Sequence, residues 1–249
     1  MICKNCSHPL KGNYCSNCGQ NSHTERITYS FLVHELIHFF THIEKGFLFT
    51  TKQLVLSPGK TVFEFIEGKR KKYFSPVSYF LVWITIYALL LYWFQKVFGE
   101  NRVIDYQQYF GDKASTEYAI THLALVLTIV IPFQGLYLYL LFTKVRYNYF
   151  ETIVIAIYCL GTIIFFQLLF ALISLGYFSI TNIPVSLSIS DIFKISYLIW
   201  FAFDFVRSVN DTKYKFAKTV VFILLPFGTF TIWRLYGFPY LNHLLHGRF

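Results

Sequence analysis

The sequence predicts an all-α membrane protein, a five-span helical bundle preceded by amphipathic juxtamembrane helices and a small N-terminal ribbon. Three observations predict this class. Hydrophobic residues make up 55% of the 249-residue chain and charged residues only 14%, whereas soluble domains carry about 25% charge. Several apolar runs are long enough to cross a bilayer. Four of the five cysteines lie within the first 18 residues.

Residues 1–20 form the first predicted domain. Cys3, Cys6, Cys15 and Cys18 give the spacing C-x2-C-x8-C-x2-C, which can direct four thiolates at one tetrahedral zinc ion. Two disulfides or free thiols are the alternatives, and a cytoplasmic N-terminus argues against disulfides. Because sulfur fills all four positions, no ligand position remains for catalysis. We therefore expect a structural zinc ribbon in which these four cysteines are the metal ligands.

Residues 21–75, which we call the collar, are predicted to lie at the membrane surface. A polar linker (21–27) precedes a helical, amphipathic pattern over 28–56, in which Gly46 marks a possible bend or end. This pattern contains no apolar run long enough to cross a bilayer, so we expect an interfacial position.

Two Ser-Pro pairs divide the rest of the collar. Ser57 is expected to cap a short helix that has Pro58 at its first position, and Ser75-Pro76 repeats this signal before the first span. The basic cluster at 69–72 lies just before that span, where such residues face anionic lipid and set topology.

The bundle is predicted over residues 76–249. Ten of the 22 Lys and Arg residues lie within residues 1–75, which predicts a cytoplasmic N-terminus and, with five spans, an external C-terminus. The same distribution indicates that the basic residues behind the net charge of +9 face anionic lipid. We therefore expect no nucleic-acid partner. The predicted spans are 76–98, 121–143, 151–175, 190–207 and 218–236.

An H-E-x-x-H string, His34 to His38, raises the possibility of a membrane zinc metalloprotease. A catalytic zinc needs a third protein ligand and an open position for water. His42 lies too far along a straight helix to join the first two imidazoles around one ion, although Glu64 or Glu67 could serve as a third ligand. We favour the interpretation that these histidines belong to the polar face of a surface helix. Whether His34, His38 and His42 bind metal is left open.

Polar residues within the predicted spans suggest a second alternative. Gln134 and Gln167 could join helices by hydrogen bonds or could line the pathway of a small-solute or lipid transporter. Asp204 lies one turn from Arg207, so a local ion pair or a position at the interface explains it. Structural hydrogen bonding is the simpler explanation for both glutamines.

The N-terminal third resembles a known family. The segments that carry the resemblance are Lys45-Gly46-Phe47, Thr50, Ser57-Pro58-Gly59-Lys60 and the run from Gly68 to Pro76, "GKRKKYFSP". Over residues 1 to about 85, the chain is similar to the bacterial multi-pass membrane proteins catalogued as domain of unknown function 3667. The resemblance implies a zinc-ribbon protein of the bacterial inner membrane and supplies no catalytic residues.

These observations favour a non-enzymatic function. We expect a membrane adaptor or assembly factor whose ribbon binds a cytoplasmic protein partner. The transporter and the metalloprotease remain the two alternatives.

Overall fold

The computed structural model describes residues 1–24, 26–39, 46–99, 103–105, 122–142, 147–209 and 217–223. Most of these residues are helical, as the sequence predicts. The helices are α1 (Tyr29–Phe39), α2 (Phe47–Leu56), α3 (Pro58–Ile66), α4 (Pro76–Phe98), α5 (Leu123–Phe142), α6 (Tyr149–Thr181) and α7 (Ser188–Ser208), and residues 217–223 are also helical.

Two helices in the part of the chain that the structure describes are long and apolar enough to cross a membrane. They are α4, with 23 residues, and α6, with 33 residues. The predicted spans 121–143 and 190–207 coincide with α5 and α7, but neither passes the same test over the described residues. The apolar part of α5, Leu127–Phe142, is shorter, and α7 carries four charged residues. Most of the predicted span 218–236 lies outside the described residues. Five spans are therefore not supported by helix length and composition.

Helix α6 is the centre of the bundle and packs against α4, α5 and α7. Every residue from 151 to 162 is buried. Two glycines permit this close packing. A Cβ atom at Gly135 of α5 would lie 2.6 Å from Ile153 Cγ1, and one at Gly161 of α6 would lie 2.7 Å from Tyr79 Cδ1. The first part of α6, where the predicted span 151–175 begins, is thus enclosed by other helices.

The two ends of the bundle differ. At one end, α2 and α3 pack against α6 and α7, and α1 packs against α4. At the other end, the segment after α4 pairs with the segment between α6 and α7. The pair consists of two parallel two-residue strands, β1 (Ile104–Asp105) and β2 (Val185–Ser186), which the sequence did not predict.

The collar contains separate helices rather than one long helix. Gly46 has a left-handed conformation (φ 118°) at the N-cap of α2, so the predicted bend or end at this glycine is confirmed as a helix boundary. Residues 40–45 lie outside the described part of the chain. Pro58 and Pro76 occupy the first turns of α3 and α4, as the sequence predicts.

Ser57 and Ser75 lie at the N-cap positions of α3 and α4, as the sequence predicts, but the expected side-chain caps are not formed. Neither Ser57 nor Ser75 makes a side-chain capping bond, and among the described residues the Ser75 hydroxyl is buried without a partner. The acceptor for α3 comes from α7 instead, because the backbone N–H of Lys60 donates to Asp204 Oδ2 at 3.1 Å. A carboxylate at this position satisfies an end N–H group and complements the helix dipole.

The junction of α2 and α3 is fastened to the same helix. The Tyr197 hydroxyl donates to the carbonyl of Leu54 at 3.2 Å, and the Trp200 indole N–H donates to the carbonyl of Val55 at 3.1 Å. These side chains satisfy carbonyls that the last turn of α2 leaves without helical partners. The collar is therefore packed into the bundle.

Candidate metal centre

The four N-terminal cysteines converge as the sequence predicts. Their sulfur atoms all lie within 4.8 Å of one another. The Cys3 and Cys18 sulfurs are 3.7 Å apart, and the Cys6 and Cys15 sulfurs are 3.5 Å apart. A tetrahedral site with zinc–sulfur bonds of about 2.3 Å has sulfur–sulfur edges of about 3.8 Å. The four cysteines are positioned to hold a metal ion.

Two equivalent backbone loops place these sulfurs. In the first loop, the N–H of Ser7 donates to the Cys3 carbonyl and the N–H of Cys3 donates to the His8 carbonyl, both at 2.9 Å. In the second loop, the N–H of Gly19 donates to the Cys15 carbonyl and the N–H of Cys15 donates to the Gln20 carbonyl, both at 2.8 Å. The spacing C-x2-C is thus converted into two copies of one turn.

The residue after each second cysteine has a left-handed backbone. Gly19 has φ 71° and Ser7 has φ 61°. The expected tight turn at Gly19 is confirmed. The sequence did not lead us to expect a left-handed backbone at Ser7. The repeat of the motif nevertheless identifies Ser7 as the counterpart of Gly19. Only glycine adopts this conformation without a steric cost.

The loops shift the pKa values of two of the thiols in opposite directions, because burial raises the pKa of Cys18 to about 11 while hydrogen bonds lower that of Cys6. The backbone amide of His8 and the side chain of Asn17 hydrogen-bond to the Cys6 sulfur and lower the pKa of Cys6 to about 6. Residues 1–24 contain Lys4 and Lys11 but no acidic residue. A thiolate is the form that binds metal, and positive surroundings favour it. The residues present therefore fit a four-sulfur metal site.

The ribbon is held against the turn between α3 and α4. The Gln20 side chain is buried, and its Nε2 donates to the Gly68 carbonyl at 2.8 Å. Its Oε1 accepts from the backbone N–H of Lys71 at 3.2 Å. One side-chain amide thus pairs with both a carbonyl and an N–H group of the same turn.

The predicted polar linker is also packed against the bundle. Ile27 is fully buried, and its carbonyl accepts from the Asn148 side chain at 3.0 Å. The Arg26 guanidinium binds both carboxylate oxygens of Glu151, at 3.0 and 2.7 Å. Glu151 and Asn148 form the capping box of α6. The linker therefore fixes the ribbon to the start of the central helix.

The basic cluster at 69–72 contacts protein groups as well as solvent. The carboxylate of Glu64 accepts from the Lys69 ammonium at 3.0 Å, from the Lys72 ammonium at 3.1 Å and from the Tyr73 hydroxyl at 2.5 Å. Burial raises the pKa of Glu64, but these three donors outweigh it and lower the pKa to about 2. Two of the four basic residues, Lys69 and Lys72, are thus bound to one carboxylate.

Arg70 has a different environment from its basic neighbours. Its guanidinium carbon lies 4.5 Å from the centre of the Phe31 ring and 6.0 Å from that of Phe65. Burial lowers the pKa of Arg70, while the carboxylates of Glu35 and Glu151 oppose this shift. The guanidinium therefore links α1 to α3 by stacking on aromatic rings.

The H-E-x-x-H string lies on α1, as the helical periodicity predicts. His34 is exposed and Glu35 is half-buried. The side chain of His38 and all of His42 lie outside the described residues, so a metal site at this string is untested. Glu64, proposed as a possible third ligand, is already bonded to three donors, as described above.

The polar residues of the predicted spans have different roles. Gln167 of α6 is buried and its Nε2 donates to the Ser190 hydroxyl of α7 at 3.4 Å, so this glutamine joins two helices. Gln134 of α5 is half-buried. Asp204 caps α3, a role that the predicted pairing with Arg207 did not include.

Residues 44–88 match the family described as "Protein of unknown function (DUF3667)". This match confirms the resemblance over α2, α3, the following turn and the first half of α4. The ribbon precedes the matched residues. No curated protein and no solved structure matched the chain.

The family segments now have a structural explanation. Gly59 and Lys60 contact α7, and the Gly68 carbonyl binds the ribbon through Gln20. The N–H of Phe74 donates to the Thr50 hydroxyl at 2.7 Å, and the Phe74 carbonyl accepts from the Tyr158 hydroxyl at 2.6 Å. The matched residues therefore connect the ribbon to the bundle.

Proposed function

We propose that this protein is a multi-pass membrane adaptor or assembly factor, which presents a structural zinc ribbon to a cytoplasmic protein partner. The observation that carries the proposal is the ribbon itself. It has four converging thiols, it is fixed to the bundle by one edge, and it exposes apolar side chains elsewhere.

Zinc is the metal that the ligand set favours. Four thiolates in a tetrahedral arrangement suit zinc, and a site closed by sulfur on all sides has a structural role. Zinc would supply the ribbon with the cross-link that its small size requires.

A membrane location is supported by the outer surface of the helices. Large apolar side chains are exposed on all four long helices, including Leu89 of α4, Phe133 of α5, Ile173 of α6 and Phe203 of α7. Soluble monomers rarely expose contiguous apolar patches of more than a few hundred Å². This belt supports a multi-pass arrangement in which α5 and α7 cross the bilayer with α4 and α6.

The proposed orientation places the ribbon in the cytoplasm. Reporter fusions at residues 110, 147, 182, 213 and 249 are expected to alternate in location, beginning outside. A cytoplasmic C-terminus would contradict five spans, and α7 is the first helix to re-examine in that case because of its charged residues.

The partner surface is assigned to the exposed edge of the ribbon. Met1, Ile2 and Tyr14 are 81%, 68% and 66% exposed. Ile2 and Tyr14 occupy equivalent positions, each directly before the first cysteine of one of the two cysteine loops. Exposed aromatic and apolar residues of this kind are common anchors of protein interfaces.

The adaptor role is tested by crosslinking in cells. A photoreactive phenylalanine analogue at Tyr14 should capture one reproducible cytoplasmic protein, and the same analogue at Lys52 of α2 should not. The Ile2→Ser variant should weaken capture at Tyr14 without loss of bound zinc. Identical capture patterns at both positions would contradict a partner surface on the ribbon.

Metal analysis tests the ribbon independently. The purified protein should contain one zinc ion, and the double variant Cys15→Ser, Cys18→Ser should contain none. Equal zinc contents in the two proteins would show that these cysteines do not bind it.

A further inference from the structure

Gln20 belongs to both the metal loop and the contact with the α3–α4 turn. Its carbonyl accepts from the N–H of Cys15 at 2.8 Å and so closes the second cysteine loop. Its side chain holds the Gly68 carbonyl and the Lys71 N–H, as described above. The metal loop therefore fixes the position of the Gln20 backbone, and the Gln20 side chain holds the turn through its two hydrogen bonds.

The ribbon has little besides the metal to keep it folded. Among residues 1–24, the buried residues are Cys3, Cys15 and Gln20. Two of these three are metal ligands, and the third is the residue that contacts the turn. A segment without an apolar core of its own depends on its metal for folding.

The turn from Gly68 to Lys71 is held by the ribbon on one side and lies next to the Glu64 cluster on the other. Gly68 has a left-handed backbone (φ 107°), and the ribbon amide binds the turn at its Gly68 carbonyl and its Lys71 N–H. The neighbouring Lys69 and Lys72 are bound to Glu64, which lies in α3. Loss of the ribbon should therefore loosen the turn locally and leave the Glu64 cluster in place.

We propose that metal occupancy of the ribbon controls whether Gln20 is docked on the α3–α4 turn, so that loss of metal releases this turn at the start of α4. The inference rests on the proposed metal site. It assigns Gln20 as the positioning residue that connects the metal centre to the segment matched by the family.

Hydrogen–deuterium exchange on the full-length protein in detergent micelles provides the test. The zinc-loaded protein is compared with the same protein after treatment with EDTA, and zinc content is measured in each sample. Loss of the two Gln20 hydrogen bonds should make exchange at the Lys71 amide about tenfold faster. Trypsin should also cut faster within the basic cluster of the EDTA-treated protein.

The Gln20→Ala variant separates docking from metal binding. It should retain zinc and protection of the cysteine loops, yet exchange at the turn as fast as the EDTA-treated wild type. EDTA should then cause no further change at its turn. Ser16→Ala is the matched control, because Ser16 is an exposed residue of the same ribbon, and it should behave as the wild type does.

Each result has a distinct meaning. If EDTA removes zinc and opens residues 1–24 but leaves exchange at the turn unchanged, the coupling is refuted and the metal site stands. An unchanged turn in zinc-loaded Gln20→Ala also refutes it. If the wild-type protein contains no zinc, the proposed metal site fails and the coupling fails with it.

Discussion

The crossing of α3 and α7 should not tolerate any side chain at Gly59. A Cβ atom at this position would lie 2.0 Å from the Phe205 backbone nitrogen and 2.3 Å from the Asp204 carbonyl carbon. Both atoms belong to the backbone of α7, so no change of rotamer can relieve the overlap. We therefore predict that Gly59→Ala forces the two helices apart.

The expected loss combines overpacking with broken hydrogen bonds. Overpacking usually costs about 1–3 kcal/mol, and the backbone position of the clash favours the upper value of about 3 kcal/mol. Separation of the helices would also weaken the Lys60–Asp204 bond at the same crossing. In a chain of this size, such a loss lowers Tm by about 6–12 °C.

Thermal unfolding in one detergent, followed by size-exclusion chromatography after heating, measures this effect. Gly176→Ala is the control, because Gly176 also lies within a helix but is exposed and has no atom within 4 Å of an added Cβ. Its Tm should stay the same or rise slightly, since alanine favours helix by up to about 1 kcal/mol. Equal Tm values for the two variants would refute the close-crossing argument.

Three further predictions concern single residues. Ser7→Gly should relieve the positive φ and tighten zinc binding about threefold in a competition with a chelator, whereas Gly19→Ser should weaken it; weaker binding by Ser7→Gly would contradict the strain argument. Asp204→Ala should destabilise the protein by about 1 kcal/mol through loss of the α3 cap, measured as a lower Tm; an unchanged Tm would count against that role. Glu64 has a folded pKa below its unfolded value, so its stabilising contribution is present above about pH 4.5 and is lost as pH falls toward about 2. The Tm difference between the wild type and Glu64→Gln should therefore shrink over that range, and a difference independent of pH would refute the charged cluster.

The sequence by itself determined the features that depend on short-range patterns. The doubled C-x2-C spacing specified two cysteine loops because each turn is closed by residues within six positions of one another. Proline at the first helical positions located the starts of α3 and α4, since its fixed φ suits that site and its missing N–H is not needed there. The apolar runs predicted α4 and α5 to within a few residues, and the length and composition of α4 and α6 predicted helices able to span a bilayer.

The tertiary structure alone decided which groups these elements contact. Ser57 and Ser75 are good caps by local rules, yet the acceptor for α3 is Asp204, 144 positions away from the Lys60 N–H that it binds. The linker pairs with Glu151 across 125 positions. Local propensity describes only the backbone conformation that a residue favours. The choice between a nearby hydroxyl and a distant carboxylate depends on which group the packed helices bring within hydrogen-bonding distance. A periodic pattern of residues in the sequence does not predict that distance.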